Sequence, residues 1–169
     1  ALIKTAQDHA APLRIVETVA AVNDQRKRAM ARKVIQACGG SLRDKTVAVL
    51  GLTFKPNTDD MREAPSIALV TALEDAGAIV RGFDPEGSAQ ARAAMPGLQL
   101  AESAYACIEG ADVMVIVTEW NEFRALDLRR VKSLLKTPIV VDLRNIYPPE
   151  EMARLGFSYF SVGRPSSQS

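Results

Sequence analysis

The sequence predicts an α/β fold, a mostly parallel sheet with helices on both faces, preceded by a long N-terminal helix. Three observations carry this. Short apolar runs recur at Thr46 to Leu50, Ile79 to Phe83, Val113 to Val117 and Ile139 to Val141, with a weaker one at Tyr159 to Val162. They are nearly continuous rather than alternating, as strands covered on both faces must be. Helix-length segments separate them, which is what a parallel neighbour requires of its crossover.

Taken in chain order, the first element is the long helix. Apolar Ile15, Val16, Val19, Val22, Met30, Val34 and Ile35 recur at helical spacing between Pro12, a favourable helix start, and the stop signal Gly39-Gly40 after Cys38. Its middle, Asn23-Asp24-Gln25-Arg26-Lys27-Arg28, is almost wholly polar. That interrupts any heptad seam, so the helix is expected to pack at both ends and stay partly wet between them. After the charged link Leu42-Arg43-Asp44-Lys45, strands alternate with helices expected at Ser66 to Ala76, Gly87 to Ala94, Ser103 to Glu109 and Leu128 to Leu135. Gly77 suits the end of the first of these. The closing Pro165-Ser166-Ser167-Gln168-Ser169 reads as a polar tail.

With 169 residues and 47% hydrophobic composition, the chain is large enough for one sizeable core. Its 21 Lys and Arg nearly balance 20 Asp and Glu, so no global field draws it to nucleic acid or to an anionic membrane. Any anion site must therefore be local. Two cysteines and one histidine are too few for a zinc site or a secreted disulfide framework, and they fit a reducing, cytoplasmic setting. No apolar run reaches the length of a membrane span, and the opening residues lack both an initiator methionine and the order of a signal peptide, so the chain is expected to begin inside a longer protein.

The chemistry concentrates past the ends of the strands, where an open α/β sheet keeps its ligand. The stretch Gly51-Leu52-Thr53-Phe54-Lys55-Pro56-Asn57-Thr58-Asp59-Asp60-Met61-Arg62-Glu63-Ala64-Pro65-Ser66 carries two cations and three carboxylates. Ser66 at the head of a helix, with Lys55 and Arg62, would hold a phosphate through backbone N-H groups and charge together. Equally, Asp59, Asp60 and Glu63 would pair with those cations and stiffen a long connection; the residues alone leave both open. With Gly51 as its only glycine, the loop is neither a dinucleotide fingerprint nor a P-loop.

Asp84 stands where a dinucleotide fold keeps its ribose carboxylate, but with Pro85 behind it a turn or cap role is favoured. Arg144, beside Asp142 and Asn145, would meet a phosphate or pair with Asp142. Cys38 near a helix end and Cys107 in an Ala-rich helix read as core residues rather than nucleophiles. His9 reads as a surface residue, and Trp120 as packing sooner than as a stacking platform.

The Gly51 to Ser66 stretch resembles the signature of the UDP-glucose/GDP-mannose dehydrogenase family, the UDP-glucose type more than the GDP-mannose type. The likeness extends to Arg14-Ile15-Val16-Glu17, Val22-Asn23, Phe83-Asp84-Pro85, Thr118-Glu119-Trp120 and Asp142-Leu143-Arg144-Asn145-Ile146-Tyr147. It implies a fragment: residues 1–40 as the central connecting and dimerisation helix, and residues 41–169 as the C-terminal, Rossmann-like UDP-sugar-binding domain. The resemblance assigns Phe54, Lys55 and Arg144 to the sugar nucleotide, Arg62 to NAD across a domain cleft, and Arg14 to the partner subunit's substrate site. It implies a homodimeric parent that oxidises UDP-glucose to UDP-glucuronate with two NAD, through a thiohemiacetal and a thioester on a cysteine upstream of Ala1. The N-terminal NAD domain and every catalytic group would then lie outside this chain, which alone would be inactive. Ala64 stands where many members have Ser. A GDP-mannose or UDP-N-acetylhexosamine enzyme, or a non-enzymatic nucleotide-binding or assembly module, is the alternative.

Overall fold

The computed structural model describes Thr5 and residues 13–164, the side chains of Asp24 and Arg28 excepted. His9, Pro12 and the Pro165–Ser169 tail lie outside the described residues. Helix α1 (Arg14–Ala37) is followed by β1 (Thr46–Leu50), α2 (Pro65–Asp75), β2 (Ile79–Phe83), α3 (Ser88–Ala94) and β3 (Gln99–Leu100). Then come α4 (Ala104–Ile108), β4 (Val113–Ile116), α5 (Asn121–Arg124), α6 (Leu128–Leu134), β5 (Ile139–Asp142), α7 (Pro149–Arg154) and β6 (Ser158–Ser161). The strands form one six-stranded sheet in the order β3-β2-β1-β4-β5-β6, and every pairing is parallel. The expected fold class is therefore observed.

Strand periodicity distributes the core over two layers. Val47 and Val49 of β1, with Val113 and Val115 of β4, face α1, α2 and α3, burying Val34, Leu69, Leu73 and Ala91 against them. Ala48, Leu50, Met114 and Ile116 point the other way, onto Cys107, Phe123, Val131 and Met152 of α4 to α7. Both side-chain sets of these central strands are buried, which is why their sequences run apolar without alternation. Each fully buried Leu or Val contributes about 1.5–3 kcal/mol of hydrophobic stabilisation.

Three elements escape the sequence pattern. Strand β3 has two residues, α5 has four and α7 has six, all too short to show a period. One expectation is corrected outright: α1 does not pack at both ends. Its C-terminal half is anchored by Ala31 and Val34, whereas Ile15, Val19 and Val22 are 82%, 54% and 54% exposed. Length explains this. A 24-residue helix spans about 36 Å, roughly twice the reach of a five-residue strand, so its first half overhangs the carboxyl edge of the sheet.

At the centre of that edge, the chain leaves β1 through Gly51 with φ of 88° and passes directly over Thr118, just beyond β4. A Cβ built on Gly51 would stand 2.6 Å from Thr118 Cβ and 2.7 Å from its backbone nitrogen. Gly51→Ala therefore forces both a left-handed backbone and a clash with main chain. A loss of at least about 2 kcal/mol is expected, read as a lower urea midpoint without a change in slope.

Candidate functional site

Strand order reverses between β1 and β4, so their loops part and open a crevice at the carboxyl edge. Two buried carboxylates hold the loops on either side. Asp84, just past β2 and 1% exposed, accepts from the backbone N-H of Leu52 (2.7 Å) and Thr53 (3.0 Å) and from Thr53 Oγ1 (2.9 Å) with one oxygen. Its other oxygen accepts from the N-H groups of Glu86 (3.1 Å) and Gly87 (2.8 Å). Both oxygens serve the fold, which settles Asp84 as a turn residue that also clamps the β1 loop. Thr118 Oγ1 ties the β4 exit to the same loop by donating to Thr53 C=O at 2.9 Å.

Asp142, the last residue of β5, does the equivalent on the other flank. It accepts from Arg144 N-H (3.0 Å), Ile146 N-H (2.8 Å), Tyr147 N-H (3.2 Å) and the Tyr159 hydroxyl (2.7 Å). Asn145, at φ of 57°, exchanges two hydrogen bonds of 3.0 Å with the backbone of Val162. The turn that carries Arg144 is thus fixed from below and from the side.

Between these flanks lies a cleft of about 550 Å³, lined among others by Asn23, Arg26, Lys27, Phe54, Lys55, Glu63 and Arg144. Three of the residues singled out from the sequence, Phe54, Lys55 and Arg144, therefore meet in one place. Phe54 is 53% exposed although its N-H is bonded to Asp60 C=O at 2.9 Å, an apolar ring held at the mouth by its backbone. Arg62 and Arg14 do not line this cleft. Arg62 projects from the loop with its side chain 89% exposed, paired with Asp60 through Nη2 at 2.8 Å and Nε at 3.0 Å. Arg14 begins the overhanging part of α1. A hollow of about 560 Å³ past Asn145, Tyr147 and Pro148 offers Arg164 beside Glu150, so charge rather than volume distinguishes the first cleft.

In the Gly51–Ser66 loop the carboxylate-pairing reading holds for Arg62 and not for Lys55. Asp60 takes Arg62, and the donated bonds hold its carboxyl down to about 2 while raising the guanidinium above its ordinary value. Asp59 accepts from Gln90 Nε2 at 2.5 Å, and Glu63 reaches Lys27 of α1 at 3.6 Å. Among the described residues no carboxylate lies within 4 Å of Lys55 or Arg26. Both cations line the cleft. Ser66 does not cap α2, contrary to expectation: Ala64 holds the N-cap position without a side-chain bond and Pro65 opens the helix. The Ser66 hydroxyl is buried and donates to Leu52 C=O instead.

Sequence reasoning missed Asn23, Arg26, Lys27 and Glu119. The first three lie in the polar interruption of α1, whose signal was that it broke an apolar stripe, and Asn23 also falls in the family-like Val22-Asn23 pair. Glu119 binds Arg144 from the end of the neighbouring strand, through Nε at 2.5 Å and Nη2 at 2.8 Å. Trp120 is 6% exposed and packs, as expected.

Neither thiol is a nucleophile at neutral pH. Burial pushes Cys38 up to about 11 and Cys107 up to about 12. Among the described residues no group of His, Cys, Asp and Glu is placed to hold a metal ion.

The buried phenols give a pH signature. Burial raises both Tyr147 and Tyr159 above the ordinary value of 10.0, and Asp142 adds to it in each case. The unfolded chain releases these protons first, so their contribution to stability is fully present below pH 10.0 and is lost as pH rises toward the folded values. Urea unfolding at increasing pH is expected to show a decline that Tyr159→Phe makes shallower. An equally steep decline in the variant would count against it.

The chain is similar over nearly its whole length to known proteins. Residues 48–149 match the UDP-glucose/GDP-mannose dehydrogenase family, UDP binding domain. A UDP-glucose 6-dehydrogenase of Rhizobium meliloti (strain 1021) is 62% identical over 165 residues, covering 98% of this chain and 38% of that protein. One from Pseudomonas aeruginosa is 42% identical over 171 residues, with 98% and 38% covered. A UDP-glucose dehydrogenase structure from Pyrobaculum islandicum superposes with a TM-score of 0.77 at 29% identity, covering 98% of this chain and 36% of that one. The chain thus spans 38% of the length of these two curated relatives.

Proposed function

Because the chain belongs to the UDP-glucose/GDP-mannose dehydrogenase family, we propose that it is the substrate-nucleotide-binding part of a UDP-glucose 6-dehydrogenase. The observation that carries this is the meeting of Lys55, Arg144 and Phe54 in one cleft at the strand-order reversal. Lys55, without a carboxylate partner among the described residues, and the guanidinium edge of Arg144 that Glu119 leaves open bind the diphosphate. Phe54 covers one side of the nucleotide sugar. The parent oxidises UDP-glucose to UDP-glucuronate with two NAD, and its nucleophile and NAD domain belong to the part of the relatives that this chain does not match.

NAD, when bound, supplies the hydride acceptor. No glycine-rich phosphate turn follows β1 in the sequence, and among the described residues we assign Arg62 to the cofactor, its exposed guanidinium oriented by Asp60. Residues 1–40 act as the connecting and dimerisation helix, and residues 41–169 as the nucleotide domain. The apolar stripe Ile15, Val19, Val22 meets a second copy, and Arg14 beside it enters the partner's cleft. A cytoplasmic location goes with this reading, since both cysteines are free thiols.

Calorimetric titration of the chain with UDP is expected to show binding, with GDP a poor competitor; absence of UDP binding would overturn the reading. One charge-assisted phosphate contact is worth about 1.5–3 kcal/mol, so Lys55→Ala weakens UDP binding by about tenfold or more. In the full-length enzyme the same change leaves NAD affinity unaltered.

Assembly has its own test. Sedimentation equilibrium is expected to give a dimer, and a strict monomer at high concentration would refute it. Mixing full-length Arg14→Ala with full-length Lys55→Ala should restore part of the UDP-glucose oxidation, since both defects then fall in one composite site and leave the other intact. Proven heterodimers without recovery would assign Arg14 to its own subunit or to no site.

A further inference from the structure

We infer that Glu119 is a positioning residue for the diphosphate, acting through Arg144 from outside the cleft. The inference rests on the reading that Arg144 binds substrate phosphate.

Arg144 lines the cleft, whereas Glu119 is absent from its wall. The two come from the ends of adjacent strands, β4 and β5, and their carboxylate and guanidinium face each other fork to fork at 2.5 and 2.8 Å. Glu119 is held rigidly at the base. It sits between Thr118 and Trp120, which are 1% and 6% exposed. Thr118 is bonded to the β1 loop at 2.9 Å, and Trp120 N-H donates to Thr118 C=O at 3.0 Å. The base of Arg144 is equally fixed, through its own N-H on Asp142 at 3.0 Å. A long side chain is thereby pinned at both ends.

The pairing decides which donors remain. Nε and one edge of Nη2 serve Glu119, and Nη1 has no partner among the described residues. A phosphate oxygen meets a guanidinium edge already oriented, without first ordering a flexible side chain. The donated bonds hold the Glu119 carboxyl below its ordinary value and raise Arg144, so both stay charged across the neutral range. Repulsion between Glu119 and the phosphate is the competing effect. Its carboxylate lies behind the guanidinium, and the pair is partly wet, with side chains 43% and 30% exposed, so screening weakens that repulsion more than it weakens a direct contact. The same exposure makes the pair a minor contributor to stability. Its value lies in geometry.

The test measures UDP binding and urea stability of the chain for Glu119→Ala, Glu119→Gln, Arg144→Ala and the double variant Glu119→Ala/Arg144→Ala. Glu119→Ala is expected to weaken UDP binding by about tenfold while the urea midpoint stays put, and Glu119→Gln, keeping one acceptor, lies between. In the Arg144→Ala background the Glu119 change has no further effect. A purely structural role would instead lower the midpoint and act equally in both backgrounds. Unchanged or tighter UDP binding by Glu119→Ala, beside a weakened Arg144→Ala, overturns the positioning role and leaves Arg144 in the site. If Arg144→Ala itself binds UDP normally, the reading of Arg144 falls, and the role of Glu119 with it.

Discussion

The carboxyl edge of this sheet is held by two buried aspartates, one on each side of the strand-order reversal. Asp84 after β2 and Asp142 at the end of β5 each gather donors from loops that would otherwise have no regular partner. Removing either would strand several buried N-H groups, at about 1–3 kcal/mol each. The long loop that bears Phe54 and Lys55 and the short turn that bears Arg144 are placed by these clamps. Where the clamps stand, the cleft stands.

Around the clamps, charge is settled pair by pair. Arg62 answers Asp60, Lys27 answers Glu63, and Arg144 answers Glu119. A chain with 21 basic and 20 acidic side chains nonetheless leaves Lys55 and Arg26 without an ion-pair partner in the same cleft, among the described residues. An overall balance near zero is therefore compatible with a local anion site. A site of this kind would attract an anion over contact distances, not through a long-range field.

Helix α1 connects fold and assembly because it is longer than the layer it covers. Its last turns complete the core through Ala31 and Val34, and its middle turns form one wall of the cleft through Asn23, Arg26 and Lys27. Beyond them the apolar stripe Ile15, Val19, Val22 stands free of the chain's own core. One continuous helix thus joins the cleft to the surface proposed as a dimer face.

The sequence by itself determined what depends on local periodicity and on chain order. Continuous apolar runs marked five strands of the sheet, the loop after β1 marked the carboxyl edge where the cleft opens, and Gly77 marked the end of α2, where its φ of 86° needs no Cβ. The two-residue β3 and the short α5 and α7 were illegible because they are too brief to carry a period. What only the tertiary structure decided is which charges meet. Asp59, Asp60 and Glu63 had equal claims on Lys55 and Arg62 in the sequence, yet they chose Gln90, Arg62 and Lys27. Ser66 looked like a cap and became a buried donor to Leu52. Glu119 and Arg144 are 25 residues apart, and nothing in either neighbourhood announces the other. Ion pairs form between residues that the sheet order brings side by side, and that order is set by the packing of whole elements, not by the residues that pair.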